Sequence, residues 1–198
     1  SRMHVMALSM HKDAITALKE RDLSLAHDVA RRDDEVDRLY FFVVRQLKMA
    51  IENRLIINEI GLTSPRDCLG YRVVAKSIER IADHAARIAK TIPDMTYKTI
   101  PLNIASLITK ISELSAKICQ DAMKALYQLS VKRANEAVQR IGEIARLEEK
   151  AIKLILESKL HVTAVTGLRL ILESIRRSGE YGADIAEIAI NLSKKSLC

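Results

Sequence analysis

Turn-making residues are scarce in this chain: 198 residues contain 6 Gly and 3 Pro, with no Trp, 2 Phe and 5 Tyr. Such a composition cannot supply the tight turns of a many-stranded β fold, nor the Gly and Pro content of a disordered linker. Cysteine is sparse as well. Cys68, Cys119 and Cys198 are odd in number and widely spaced, which excludes a disulfide framework or a closely spaced thiol pair for metal or redox work. No apolar run reaches the roughly 18–20 residues of a membrane-spanning helix, and no basic-then-apolar leader opens the sequence. Neither a Ser/His/Asp grouping nor a Gly-rich phosphate cradle is present. What remains is rich in Ala, Leu, Ile, Lys, Arg and Glu, mostly helix formers, with 48% apolar and 29% charged residues. The expectation is an all-α, cytoplasmic, non-enzymatic protein with no catalytic residue.

The net charge of +7 invites a nucleic-acid reading, but its distribution opposes one. Residues 1–93 carry 16 basic and 13 acidic side chains, residues 94–198 carry 16 and 12, and no Lys/Arg run exceeds two. A nucleic-acid footprint needs clustered cations and stacking aromatics, and both are missing. No direct nucleic-acid binding is expected of these residues.

Helical periodicity runs almost throughout, so punctuation sets the boundaries. A first helix is expected from about Met3 to Lys19, and a second from Asp22 or Ser24. Ser64 as N-cap, Pro65 at the first helical position and Asp67 completing a capping box mark the third, which Pro93 stops near Ile92. Residues 94–101 read as a linker. Three more helices follow, about Leu102–Tyr127, Ser130–Lys159 and Thr163–Lys194. The segments 76–89 and 173–186 resemble each other at an offset of 97 residues. An Asp-Ala-x-x-Ala-Leu element also recurs at Asp13–Leu18 and Asp121–Leu126. Two tandem three-helix bundles are therefore expected, at 1–93 and 102–198.

Any chemistry sits on the second and third helices. Asp33 and Asp37 are four residues apart, as are Glu79 and Asp83, so each pair shares one helix face. Both pairs fall on the shoulder of the apolar stripe, able to meet across a helix–helix seam. Their relative height depends on where the second helix ends. An end at Ile60 would offset them by about six residues, near 9 Å, whereas an end near Ile51 would bring them level. Level carboxylates would form an all-oxygen site for a hard or borderline cation, with His84 as a further candidate ligand. The same residues also suit ordinary ion pairs, Asp83 with Arg87 at helical spacing and Arg31, Arg38 and Arg80 for the rest. No Glu-x-x-His pair is present, which disfavours a ferritin-like di-iron site.

The stretches Arg32-Asp33-Asp34-Glu35-Val36-Asp37-Arg38-Leu39 and Ser77-Ile78-Glu79-Arg80-Ile81-Ala82-Asp83-His84-Ala85 resemble the two signatures of the PhoU family of phosphate uptake regulators. The second follows the family's Leu-Glu-Arg-Ile-Gly-Asp-His-Ala pattern, with Ile78 for Leu and Ala82 for Gly. The resemblance implies a fold of two three-helix repeats and a multinuclear iron or zinc cluster on Asp33, Asp37, Glu79 and Asp83. In the second repeat, Arg176 and Glu180 stand where Glu79 and Asp83 stand in the first. That implies a lost or altered second site, with Glu180 and Asp184 as remnants and Glu143, Glu148 and Glu149 on the partner helix. The resemblance further implies docking to a phosphate ABC transporter and to a two-component sensor histidine kinase, at the inner face of the membrane. A homodimer is expected from the amphipathic bundle. Val44-Arg45-Gln46-Leu47 is similar to the archaeal branch, in which an AbrB-type DNA-binding domain precedes the repeats. The alternatives are therefore the helical effector part of a transcription regulator and, from another class, a carboxylate-bridged metalloenzyme.

Overall fold

The computed structural model describes residues 2–193, and the expected helices are there. They are α1 (Arg2–Glu20), α2 (Leu23–Glu52), a short α3 (Arg54–Glu59), α4 (Asp67–Thr91), α5 (Leu102–Gln128), α6 (Val131–Gln139), α7 (Ile141–Leu156) and α8 (Val162–Ser193). In helix order, two features depart from the sequence reading. The fifth expected helix is broken at Arg140 into α6 and α7, and the segment before Ser64 contains α3, whose Ile57 is buried with Leu47, Ala50, Leu62 and Cys68. Cys198 and the expected helix end at Lys194 lie outside the described residues.

Local chemistry explains the ends that position the later site. Asn53 leaves helical geometry (φ −134°, ψ 112°), which stops α2 at Glu52, and its side chain caps α3 by accepting from the Leu55 N–H at 2.9 Å. Before α4 only half of the expected capping box forms: the Ser64 N–H and the Thr63 hydroxyl donate to Asp67 Oδ2 at 3.1 and 3.0 Å, but Ser64 Oγ accepts from the Arg66 N–H at 3.2 Å, and the helix opens at Asp67 rather than at Pro65. Asp22 caps α2 and Ser130 caps α6 with their side chains.

Helices α1, α2 and α4 pack together, as do α5, α6, α7 and α8, and α4 lies antiparallel against α8. One buried cluster runs through all of them, with Leu18, Ile81, Ile88, Ile111, Ile118, Leu168 and Ile175 fully enclosed. The segment between the repeats is packed rather than loose. Met95 and Tyr97 are buried, and the Tyr97 hydroxyl donates to the Leu18 carbonyl at 2.9 Å. Small residues allow α5 and α8 to approach closely. Ser115 donates to the Ile175 carbonyl at 2.9 Å, and Cys119 to the Ser178 carbonyl at 3.3 Å. A Cβ on Gly182 would lie 2.8 Å from Cys119 Sγ and 3.0 Å from its backbone nitrogen.

The seam between α1 and α5 buries two histidines. His11 Nε2 lies 2.9 Å from the Ser112 hydroxyl while Nδ1 has no partner, and burial pulls the pKa values of His11 and His4 down to about 4. Both are therefore neutral near pH 7.

Two predictions follow from this packing. Gly182→Ala should lower the unfolding free energy by about 1–3 kcal/mol, because the new methyl meets backbone that cannot yield. Gly142→Ala, whose Cβ meets open space, should be neutral or stabilising by ~0.5–1 kcal/mol in the same denaturant titration. For pH, the unfolded histidines take up protons near 6.5 and the folded ones only near 4, so their contribution falls as pH drops through that window and is flat below it. His11→Asn should accordingly flatten the pH dependence of stability between about 6.5 and 4, by about one proton's worth of slope.

Candidate metal centre

Because α2 ends at Glu52, its carboxylates stand level with those of α4. Asp37, Glu79 and Asp83 each offer an oxygen within 4.8 Å of the others. Asp33, one turn away on α2, borders this triad. Its Oδ2 lies 4.0 Å from Lys90 Nζ, and its Oδ1 is buried with no hydrogen-bond partner. Glu79 is only 7% exposed; Oε1 accepts from Lys76 Nζ at 2.5 Å, while Oε2 has no partner. The ion pairs expected from spacing do not account for the group. Among the described residues the cations that meet it are Lys76 and Lys90, not Arg31, Arg38, Arg80 or Arg87.

Buried carboxylate oxygens without partners carry a full desolvation cost, and their mutual repulsion adds to it. The site shows both effects. Burial first, and then the charges of Glu79 and Asp33, push Asp83 up to about 6. Burial likewise raises Asp33, with Lys90 opposing and Asp37 reinforcing the shift. A divalent cation among these oxygens would supply the missing partners and reverse the sign of the local field. The donor set therefore fits the cation that the sequence pattern implies, with oxygen ligands suited to hard or borderline metals.

His84 points elsewhere. Its ring lies 5.8 Å from that of Tyr181 on α8, its buried Nδ1 is unpartnered, and burial with Arg87 and Arg177 holds its pKa near 4. It is not among the residues whose ligand atoms converge.

The second repeat can now be placed in register. Arg32 binds Asp13 at 2.7 Å and Arg140 binds Asp121 at 2.6 Å, each pair separated by nineteen residues. This fixes an offset of 108 for the first two helices and exposes a signal available in the sequence, Arg-x-x-Glu-(Val/Ile)-x-Arg-Leu at 32–39 and again at 140–147. Asp33 and Asp37 thus correspond to Ile141 and Ala145. For α4 and α8 the offset is 97, and matching contacts support it: Gly70 packs on Leu192, as Gly167 packs on Met95. Glu79 and Asp83 correspond to Arg176 and Glu180. Arg176 Nε binds Glu148 at 3.0 Å and its Nη1 binds Glu180, which Arg177 also holds. A guanidinium thus sits among the second repeat's carboxylates, so Glu180 is fully engaged. Asp184 is raised by burial and by Glu187. Glu143 and Glu149 make no ion pair among the described residues.

The chain resembles solved structures of PhoU from Streptococcus pneumoniae (TM-score 0.84, 17% identity, 99% of this chain and 92% of that one) and from Pseudomonas aeruginosa (TM-score 0.81, 20% identity, 98% and 93%). Among curated relatives, a phosphate-specific transport system accessory protein PhoU homolog of Clostridium acetobutylicum is 22% identical over 204 residues, covering 96% of this chain and 87% of the relative. A second such homolog, of Deinococcus radiodurans, is 32% identical over 95 residues, 46% of this chain and 40% of its own length. The PhoU domain family matches residues 1–92 and 108–189, one span for each repeat, and the chain belongs to that family.

Proposed function

We propose that this chain is a non-catalytic regulator of phosphate uptake that holds divalent cations on Asp33, Asp37, Glu79 and Asp83. It acts by contact with a phosphate transporter and with the sensor kinase coupled to it. The observation that carries the cation reading is Glu79, buried with a free carboxylate oxygen between Asp37 and Asp83. The transport role is supported by relatives named as phosphate-specific transport system accessory proteins. No helix among the described residues is long and apolar enough to cross a membrane, and the contact proposed here is docking onto the cytoplasmic face of the transporter. Phe41 and Phe42 on α2, 64% and 56% exposed, offer apolar surface for a partner or a second copy. Iron or zinc is the metal that the family resemblance favours. When bound, it would supply a fixed positive charge that ties α2 to α4.

Elemental analysis and titration of the tag-free chain with iron(II) or zinc test the cation reading. At least one metal per chain is expected, lost in the triple variant Asp37→Asn, Glu79→Gln, Asp83→Asn and retained in Glu148→Gln. A chain that stays metal-free after reconstitution would overturn it. Because Asp83 titrates near 6 without a cation and must be ionised to ligate, affinity should fall as pH drops through about 6, with protons released on binding. For the regulatory role, deleting the gene should leave phosphate uptake high in phosphate-replete cells. Unchanged uptake would refute that part alone.

A further inference from the structure

The carboxylate cluster opens onto a cleft of about 710 Å³ between α4, the start of α8 and the segment joining the repeats. Asp33, Asp83, Arg87 and Lys90 line it together, and Met95 and Leu170 give it an apolar wall. Arg87 makes no ion pair among the described residues, and the carboxylate nearest Lys90 is Asp33, at 4.0 Å. Lys76 on Glu79 and Lys90 beside Asp33 leave Glu79 Oε2 and Asp33 Oδ1 without partners, and the exposed Arg87 and Lys90 flank these oxygens in the cleft. We infer that this cleft binds a phosphoryl oxyanion, held between a metal on the carboxylate cluster and the side chains of Arg87 and Lys90. The inference rests on the cation reading above and names the ligand of that same site.

Three observations carry it. Glu79, more than nine-tenths buried with Oε2 unpartnered, marks the cluster as a place for a cation rather than a solvated acidic face. The second is an internal control supplied by the repeat. At the 97-residue offset Arg87 corresponds to Asp184, and Lys90 to Glu187. Where Ile141, Ala145 and Arg176 stand for Asp33, Asp37 and Glu79, and only Glu180 keeps a carboxylate, acids stand for both cations, so the full ligand set and the two cations occur together in one repeat and neither occurs in the other. The third is charge. Asp33, Asp37, Glu79, Asp83 and Asp94 outnumber Lys76, Arg87 and Lys90 by two, so a phosphate dianion is repelled until divalent metal is bound. Once metal is bound it has a cation on each side, and charge-assisted hydrogen bonds from the guanidinium and ammonium fix its oxygens.

Equilibrium dialysis of the full chain, metal-free and zinc-loaded after desalting, against labelled inorganic phosphate and against phenyl phosphate tests this. Binding is expected to the zinc-loaded chain and not to the metal-free one. The double variant Arg87→Ala, Lys90→Ala should load the same zinc yet bind the anion roughly tenfold more weakly or worse. Tighter binding of inorganic phosphate identifies the free anion as ligand. Tighter binding of phenyl phosphate identifies an ester that also uses the wall of Met95 and Leu170. Zinc-loaded protein that binds neither would overturn the inference and leave the cation reading intact, as would a double variant that binds both as well as the parent. Binding undiminished without zinc would overturn it too, and a chain that loads neither zinc nor iron(II) would overturn both readings.

Discussion

The contact between α4 and α8 is the constraint on which the other features depend. It is antiparallel and built on equivalent small residues, Gly70 against Leu192 at one end and Gly167 against Met95 at the other. A Cβ at Gly167 would come within 2.4 Å of Met95 Cγ, so the absence of a side chain there makes the room that the buried Met95 fills. That contact places the start of α8 beside the end of α4, which walls the cleft next to Asp83. It also turns His84, one residue on and about 100° around the helix, into the seam against Tyr181. Geometry at the seam therefore decides which α4 residues serve the carboxylate cluster and which serve the packing between repeats.

The two repeats solve one electrostatic problem in opposite ways. In each, acidic side chains from neighbouring helices converge at a half-buried seam where water cannot fully screen them. The second repeat resolves this internally, with Arg176 bridging Glu148 and Glu180. The first keeps orphaned oxygens and a raised Asp83, a local cost in stability that a proton on Asp83 or an added cation would relieve. A folded chain that leaves three carboxylates within 4.8 Å is thus conditional on its surroundings in one half and self-sufficient in the other.

Much of this was legible in the sequence. The helix order and the contact of Ser64 with Asp67 follow from periodicity and side-chain hydrogen bonding, which are local properties, whereas the end of α2 was open between Ile51 and Ile60 until the geometry of Asn53 decided for the earlier one. That end is also what levels Asp37 with Glu79 and Asp83. The break at Arg140 was not legible, because apolar periodicity continues across it through Ala137, Ile144 and Ala151. Nor was the direction of His84, since spacing places it beside Asp83 but cannot say that α8 covers that flank. Asp33 illustrates the resolution of such reasoning: helical spacing puts it with Asp37, yet one further turn is enough to leave it bordering the triad beside Lys90. The register of the second repeat was present in the paired Arg-x-x-Glu motifs. It became usable only when the Asp13–Arg32 and Asp121–Arg140 bridges showed the two stretches in the same role.

Those bridges also explain why the halves could diverge at their seams without losing the fold. Each ties the first helix of its repeat to the second at a point outside the carboxylate cluster, so the helix pair is positioned before any cation is considered. The apolar core is continuous through both repeats and owes nothing to the cluster residues except Glu79, which borders it. Substitution of Asp33, Asp37 or Asp83 therefore changes charge at the surface of an already determined scaffold. Arg176 is different in kind. Removing it would leave Glu148 half-buried without its counter-charge, beside a Glu180 that only Arg177 still holds, the costly way to break an ion pair. The carboxylates of the first repeat can change without disturbing the scaffold, while the second repeat is held to its guanidinium by the cost of doing without one.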